Sequence, residues 1–142
     1  MIAVDTNLLV YAHRSAVPEH RRARQALERA ANDTGGWGIS IPVLAEFWSI
    51  VTHPKAAGGP STAARAASFI RVLATEGEMR IWTPGPGFAE YLLQRAISMS
   101  VSGARIFDLQ IALIAAHYGA REIWTHDANF VRLPGIRIRD PL

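Results

Sequence analysis

Five short apolar segments alternate with longer segments of helical character, and this alternation restricts the possible folds more than any other feature of the sequence. The first segment, Ile2–Val4, is continuous and apolar, as expected for a buried parallel strand. The other predicted strands are Trp37–Ile41, Met79–Trp82, Glu122–Thr125 and Ile136–Ile138. Repeated strand–helix–strand units favour a mainly parallel sheet with helices on both faces. We therefore expect an α/β fold, organised as a single domain over residues 1–142.

The helices between these strands are predicted from apolar spacing and from the residues that begin and end helices. They are Leu8–His13, Glu19–Ala31, Val43–Thr52, Ser61 or Thr62 to Thr75, Phe88–Met99, Ala104–Tyr118 and a single turn at Asp127–Phe130. The helix after Pro42 is apolar nearly all round, which predicts that it is buried, yet it contains Glu46. Trp48, Trp82 and Trp124 are expected in the core, whereas Trp37 could stack on a nucleobase.

Four acidic residues stand at the ends or beginnings of predicted elements, each among apolar neighbours. They are Asp5, Glu46, Asp108 and Asp127. An isolated Asp at a strand-to-helix turn is usually a helix cap, and capping is the simpler interpretation of Asp5. Capping leaves Glu46 unexplained, because an ionised carboxylate in an apolar helix needs a partner. Asp5 and Asp127 also follow strands, and ligands of open parallel sheets bind beyond the carboxyl ends of the strands.

The composition limits the chemistry of any site. The chain has no cysteine, which excludes disulfides, thiolate metal ligands and cysteine nucleophiles, so a metal would be held by oxygen or histidine. The absence of cysteine fits a reducing cytoplasm, and no apolar run is long enough for a membrane span, so we expect a soluble cytoplasmic protein.

The positive charge is carried almost entirely by arginine. Fourteen of the fifteen basic residues are Arg, and without the four acids above, eight acidic residues remain, which gives a net charge of +7. The arginine content has two interpretations. Guanidinium groups bind phosphate oxygens, which favours a polyanionic partner, but a high arginine content can also follow from the base composition of the genome. The candidate phosphate contacts are Arg14 and Arg105, followed by Arg21, Arg22 and Arg24.

Four motifs in this order resemble the PIN domain, and more narrowly the VapC toxins of bacterial toxin–antitoxin pairs. They are Val4-Asp5-Thr6-Asn7, Leu44-Ala45-Glu46-Phe47, Phe107-Asp108-Leu109-Gln110-Ile111-Ala112 and Thr125-His126-Asp127. The resemblance covers essentially the whole chain. It implies a three-layer α/β/α fold with strand order 3-2-1-4-5, and an endoribonuclease dependent on Mg²⁺ or Mn²⁺. It also implies a small antitoxin as partner and a homodimer.

The resemblance assigns roles to residues around the four acids. Asp5 and Asp108 are expected to bind one or two Mg²⁺ or Mn²⁺ ions directly, Glu46 directly or through water, and Asp127 as ligand or water-orienting group. Thr6, Asn7, Thr125 and Asn129 are expected to hold these ligands or water by hydrogen bonds. General metal chemistry agrees with these roles. Hard divalent cations prefer carboxylate oxygens, and they can activate a water molecule to attack a phosphodiester.

Two other functions fit parts of the pattern. A small phosphatase could use Asp5 as nucleophile, although Asn7 stands where that chemistry wants a second acid. A module that binds RNA or protein without cleavage would keep its affinity when the metal is removed or Asp108 is changed.

Overall fold

The computed structural model describes residues 1–142 and contains one five-stranded sheet. The strands are β1 (Ile2–Val4), β2 (Trp37–Ser40), β3 (Arg80–Trp82), β4 (Glu122–Trp124) and β5 (Arg137–Arg139). All four neighbouring pairs are parallel, and the order across the sheet is β3-β2-β1-β4-β5. The expected α/β fold and strand order are therefore confirmed.

Six helices connect the strands. They are α1 (Thr6–His13), α2 (His20–Ala31), α3 (Ile41–Val51), α4 (Ala63–Thr75), α5 (Phe88–Ser98) and α6 (Arg105–His117). Most ends differ from the sequence prediction by one or two residues, which is the usual uncertainty of helix boundaries. Helix α1 begins two residues before its predicted start, directly after Asp5, because that side chain caps it by accepting from the Thr6 amide.

The order in which helices connect the strands determines which face of the sheet each helix covers. The chain moves from β1 to β2 to β3 in one direction through α1 to α4, then crosses back to β4 through α5 and α6. Since parallel crossovers are right-handed, α1 to α4 cover one face of the sheet and α5 and α6 the other. Contacts between α1 and α2 and between α5 and α6 agree with this arrangement.

The core lies between these layers and is centred on β1, whose three residues are all buried. Strands β2 and β4 flank β1 on its two sides, so β1 is the central strand of the sheet. The residue that follows β1 is Asp5, and it is buried as well. The first acid of the sequence pattern is thus fixed to the most enclosed part of the sheet.

Helix α3 is less buried than its apolar sequence predicts. Its inner side consists of Val43, Phe47 and Val51. On its outer sides Ile41, Trp48 and Ile50 are 38%, 37% and 41% exposed. The prediction that Trp48 belongs to the core is therefore wrong, whereas Trp82 and Trp124 are buried as expected.

Two local predictions also fail. Residues 127–130 form a single turn rather than a helix: the Phe130 amide donates to the Asp127 carbonyl at 3.2 Å and the Asn129 amide donates to Asp127 Oδ1 at 2.8 Å. Trp37 is 1% exposed, and its Nε1 donates to the Gly77 carbonyl at 2.6 Å, so it is not available to stack on a base. None of the helices has both the length and the apolar character that crossing a membrane requires.

Candidate active site

Asp5, Glu46, Asp108 and Asp127 line a single cavity of about 260 Å³ at the carboxyl edge of the sheet. They come from four different parts of the fold. Asp5 follows β1, Glu46 lies in α3, Asp108 in the first turn of α6, and Asp127 in the loop after β4. The parallel topology brings the ends of the adjacent strands β1 and β4 together, and α3 and α6 add their acids from the two helical layers.

Asp5 is held by three hydrogen bonds. Its Oδ1 accepts from the Thr6 amide at 2.7 Å, while its Oδ2 accepts from Asn7 Nδ2 at 2.9 Å and from Thr125 Oγ1 at 2.7 Å. Because a carboxylate oxygen has two lone pairs, Oδ1 retains one that no protein donor uses. Asp5 is thus fixed in orientation and keeps an oxygen available to a ligand.

Asn7 and Thr125 join the ends of β1 and β4. Asn7 Nδ2 donates to Thr125 Oγ1 at 2.9 Å, and Asn7 Oδ1 accepts from the His126 amide at 3.1 Å. The Thr125 hydroxyl oxygen also accepts from the Asp127 amide at 3.0 Å. Asp5 and the loop that carries Asp127 are therefore positioned by the same network.

Thr6 connects α1 to α3 at this site. Its hydroxyl donates to Glu46 Oε2 at 2.7 Å, although the two residues are 40 positions apart in the sequence. Thr6 is buried, whereas Glu46 is exposed to the cavity and to solvent. Glu46 is therefore not an unpaired charge inside an apolar helix, and its side chain is directed toward Asp5 by the first residue of α1.

Burial, together with the neighbouring acids, raises the pKa values of Asp5 and Asp108. Burial raises the pKa of Asp5 from its ordinary 3.8 to about 6; hydrogen bonds from Thr125 and Thr6 oppose the rise, and the charges of Glu46 and Asp108 add to it. The pKa of Asp108 is also raised, first by burial and then by Asp127 and Glu46, against the effect of Arg105. The cavity is a site of concentrated negative charge that a cation would stabilise.

The donor set fits a hard divalent cation in its chemistry, because the four groups are all carboxylates. No three His, Asp or Glu side chains converge closely enough to hold an ion by themselves. Mg²⁺ does not require such convergence, since it is usually bound through one or two carboxylates and keeps several waters. Asp5, with its free lone pair, and the neighbouring Asp108 are the residues best suited to contact it directly.

Besides the arginines of α2, four predicted residues do not line the cavity of the acids: Thr125, which is buried and bonds to Asp5, and Asn129, Arg105 and Arg14. Asn129 donates its backbone amide to Asp127 Oδ1 at 2.8 Å and lines an adjoining cavity together with Arg105. Arg14 is 9% exposed and donates to the backbone carbonyls of Gly59 and Val51. These bonds tie α1 to the end of α3, so Arg14 has a structural role and not the predicted RNA contact.

Three residues that line the cavity were not predicted as site residues. They are Val10, Tyr11 and Ile50. Each follows a predicted site residue by one helical turn: Val10 and Tyr11 follow Asn7 in α1, and Ile50 follows Glu46 in α3. Residues three or four positions apart share a helix face, so this spacing was the signal in the sequence.

Comparison with known proteins finds a family and relatives that match nearly the whole chain. The family described as the PIN domain matches residues 2–136. Ribonuclease VapC43 of Mycobacterium tuberculosis is 34% identical over 143 residues, covering 100% of this chain and 96% of that protein. Ribonuclease VapC48 of the same species is 30% identical over 137 residues, covering 96% and 94%.

Solved structures share the fold at lower identity. Mycobacterium tuberculosis VapC20, described as a Sarcin-Ricin loop cleaving toxin, superposes with a TM-score of 0.69 at 15% identity and covers 92% of each chain. VapBC2 from Rickettsia felis, bound to a DNA fragment from its promoter, gives a TM-score of 0.66 at 24% identity and covers 98% of each chain.

Proposed function

The chain belongs to the PIN domain family and, within it, to the VapC-type ribonuclease toxins, and we propose that it hydrolyses RNA phosphodiester bonds at the acidic cavity. We further propose that the reaction depends on Mg²⁺ or Mn²⁺ and that the protein is the toxin of a toxin–antitoxin pair. The observation that carries this proposal is the gathering of Asp5, Glu46, Asp108 and Asp127 in one cavity.

Asp5 and Asp108 would contact the metal, with Glu46 contacting it directly or through water. A divalent cation bound there supplies a nucleophile at neutral pH, by lowering the pKa of a water, and stabilises negative charge on the phosphate. Asp127 is exposed beside these groups and can accept a hydrogen bond from a water or bind the cation.

The chain's own residues hold this arrangement before any ligand arrives. Asn7 and Thr125 fix Asp5 through hydrogen bonds to one carboxylate oxygen, which leaves the other oxygen directed by the Thr6 amide alone. Thr6 fixes Glu46. Such preorganisation is what allows charged groups to act on a substrate without rearranging during the reaction.

The partners we propose are RNA, a small antitoxin protein and a second copy of the chain. The antitoxin is supported by the likeness in fold to VapBC2 and to FitAB bound to a DNA fragment. Each of these names joins two components. The second copy is supported by α5, which has no buried residue and exposes Leu93 by 57% and Ile97 by 79%.

The proposal is tested by incubating the purified protein with single-stranded RNAs, with Mg²⁺ and with a chelator. We expect cleavage only with the metal, and a loss of at least about 100-fold in the Asp5→Asn and Asp108→Asn variants. Asp33→Asn is the matched control, because it makes the same chemical change in an exposed turn after α2 and should keep full activity.

Intact RNA across many sequences with the wild-type protein would contradict the proposal. If RNA binding without cleavage survives both the chelator and Asp108→Asn, the protein is a binding module. Thermal unfolding of each variant establishes that lost activity is not lost folding.

A further inference from the structure

A second cavity, of about 400 Å³, adjoins the acidic one and has a different character. It lies between the loop joining α5 to α6 and the segment that follows β4. Its polar lining residues are Ser100, Ser102, Arg105, Asn129 and Arg132. It contains no acidic residue, so its charged groups are two guanidinium ions of the same sign.

Both arginines are free to bind a ligand. Arg105 and Arg132 are exposed, and neither takes part in any of the ion pairs or side-chain hydrogen bonds of the structure. By contrast, Arg137 and Arg139 at the edge of the sheet both lie near Glu122, at 3.2 and 3.9 Å. The Arg14 guanidinium already donates hydrogen bonds to two backbone carbonyls.

The first turn of α6 and the loop after β4 contribute residues to both cavities. Asp127 lines the acidic cavity, Asn129 lines the second one, and the Asn129 amide donates to Asp127 Oδ1 at 2.8 Å. Arg105 is close enough to Asp108, three residues later in α6, that its charge lowers the pKa of that acid against the other effects. The arginines and the acids are therefore held next to each other by the same loop and the same helical turn.

We propose that the cavity of Arg105 and Arg132 binds a phosphate of the RNA strand that flanks the scissile phosphate. This inference rests on the proposed function. Four carboxylates repel the charged backbone of RNA, and only the scissile phosphate can be neutralised by a cation bound among them. The neighbouring phosphate needs its own cationic partner, and guanidinium forks match phosphate oxygens in geometry and charge. Ser100, Ser102 and Asn129 supply neutral hydrogen-bonding groups beside them.

The test measures the binding of a single-stranded RNA oligonucleotide to the full chain in EDTA, and its kcat/KM with Mg²⁺. Arg105→Ala and Arg132→Ala should each weaken binding and kcat/KM by about tenfold. The Arg105→Ala/Arg132→Ala double variant should also reduce the slope of log K against log salt by about 0.7, the value for one phosphate contact on a single strand. Arg71→Ala is the matched control, since it removes an equal charge from the exposed side of α4.

A scan of RNAs, each with one uncharged methylphosphonate linkage, locates the contact. Wild type should lose affinity most at one position beside the cleavage site, and the Arg105→Ala/Arg132→Ala double variant should lose nothing further there. Equal losses in both proteins, or single variants that behave like Arg71→Ala, would overturn this inference while wild-type cleavage continued. A wild type that neither binds nor cuts RNA would instead overturn the proposed function, and this inference with it.

Discussion

Asp5 joins two properties that the sequence offered as alternatives. Its Oδ1 caps α1 through the Thr6 amide, and its carboxylate is also part of the acidic cavity. The helix cap therefore orients the acid. The same hydrogen bond satisfies the Thr6 amide, which has no partner within the helix, and leaves one lone pair of Oδ1 unused. Burial without a counter-ion is unfavourable for this carboxylate, as its pKa of about 6 indicates.

The raised pKa of Asp5 predicts a dependence of stability on pH in metal-free buffer. The native state keeps this proton up to about pH 6, whereas the unfolded chain releases it near 3.8, so the native state binds more protons between these values. The free energy of unfolding should then fall as pH rises through this window, by about 3 kcal/mol for a shift of roughly two units. Below the window Asp5 makes no such contribution, and above it the loss is complete.

Urea unfolding of wild type and Asp5→Asn in EDTA, at pH values from 4 to 7, checks this prediction. The variant has no charge at this position, so the difference between the two proteins should change across the window. Parallel pH profiles would contradict it.

The four acids singled out in the sequence line one cavity, and their roles in catalysis and metal binding stay predictions. They stood out in the sequence because charged groups among apolar neighbours need an explanation. Arg14 was assigned wrongly because a sequence does not distinguish a guanidinium that binds phosphate from one that binds backbone carbonyls, as Arg14 does with Gly59 and Val51.

At the scale of elements, α1 and α3 are joined by one side-chain hydrogen bond at the site, from Thr6 to Glu46. Both helices begin right after a strand, so their first turns lie at the carboxyl edge of the sheet. The sequence predicted both helices but not how they face each other, because the apolar pattern of α3 has no single polar side. Its exposed Ile50 lines the acidic cavity, which explains one of the outward apolar residues.

The Thr6 bond is expected to matter for activity more than for stability. Thr6→Val removes the donor and keeps the shape, so Glu46 loses its orientation and kcat/KM with Mg²⁺ should fall by about 10- to 100-fold. Thr6→Ser retains the hydroxyl and should restore most of the activity. The Mg²⁺ concentration that gives half-maximal cleavage should rise in Thr6→Val only; an unchanged metal dependence would show that Glu46 does not need this partner.

At the scale of the whole molecule, the sheet order decides which residues meet. Strand alternation in the sequence predicted the α/β class, but the order 3-2-1-4-5 came from the resemblance to the PIN domain and is confirmed by the pairing of β1 with both β2 and β4. Composition alone could not have supplied it, because several orders satisfy the same alternation. The second cavity, with Arg132, was also invisible in the sequence, since it depends on two loops meeting.

The apolar surface of α5 leads to a prediction about assembly. If a second copy covers this helix, Ile97→Glu should convert the protein from dimer to monomer, because it places a charge in a buried contact. Light scattering coupled to size-exclusion chromatography measures the mass directly. Val72→Glu, which makes the same kind of change at an apolar residue of α4 that is 45% exposed, is the control that should leave the mass unchanged, because it lies on a different helix from Leu93 and Ile97. A monomeric wild type would contradict the prediction.

The hydrogen bond between Thr125 and Asp5 spans 120 positions of the sequence. During synthesis β1 is made well before β4 and the loop that completes its acidic cavity. A growing chain can fold its early helices against β1, but it lacks the Thr125 clamp and the last acid until nearly all of these residues have been added. An incomplete chain therefore lacks the complete cavity and any activity that depends on it. The cavity forms only once the segment after β4 has packed beside β1.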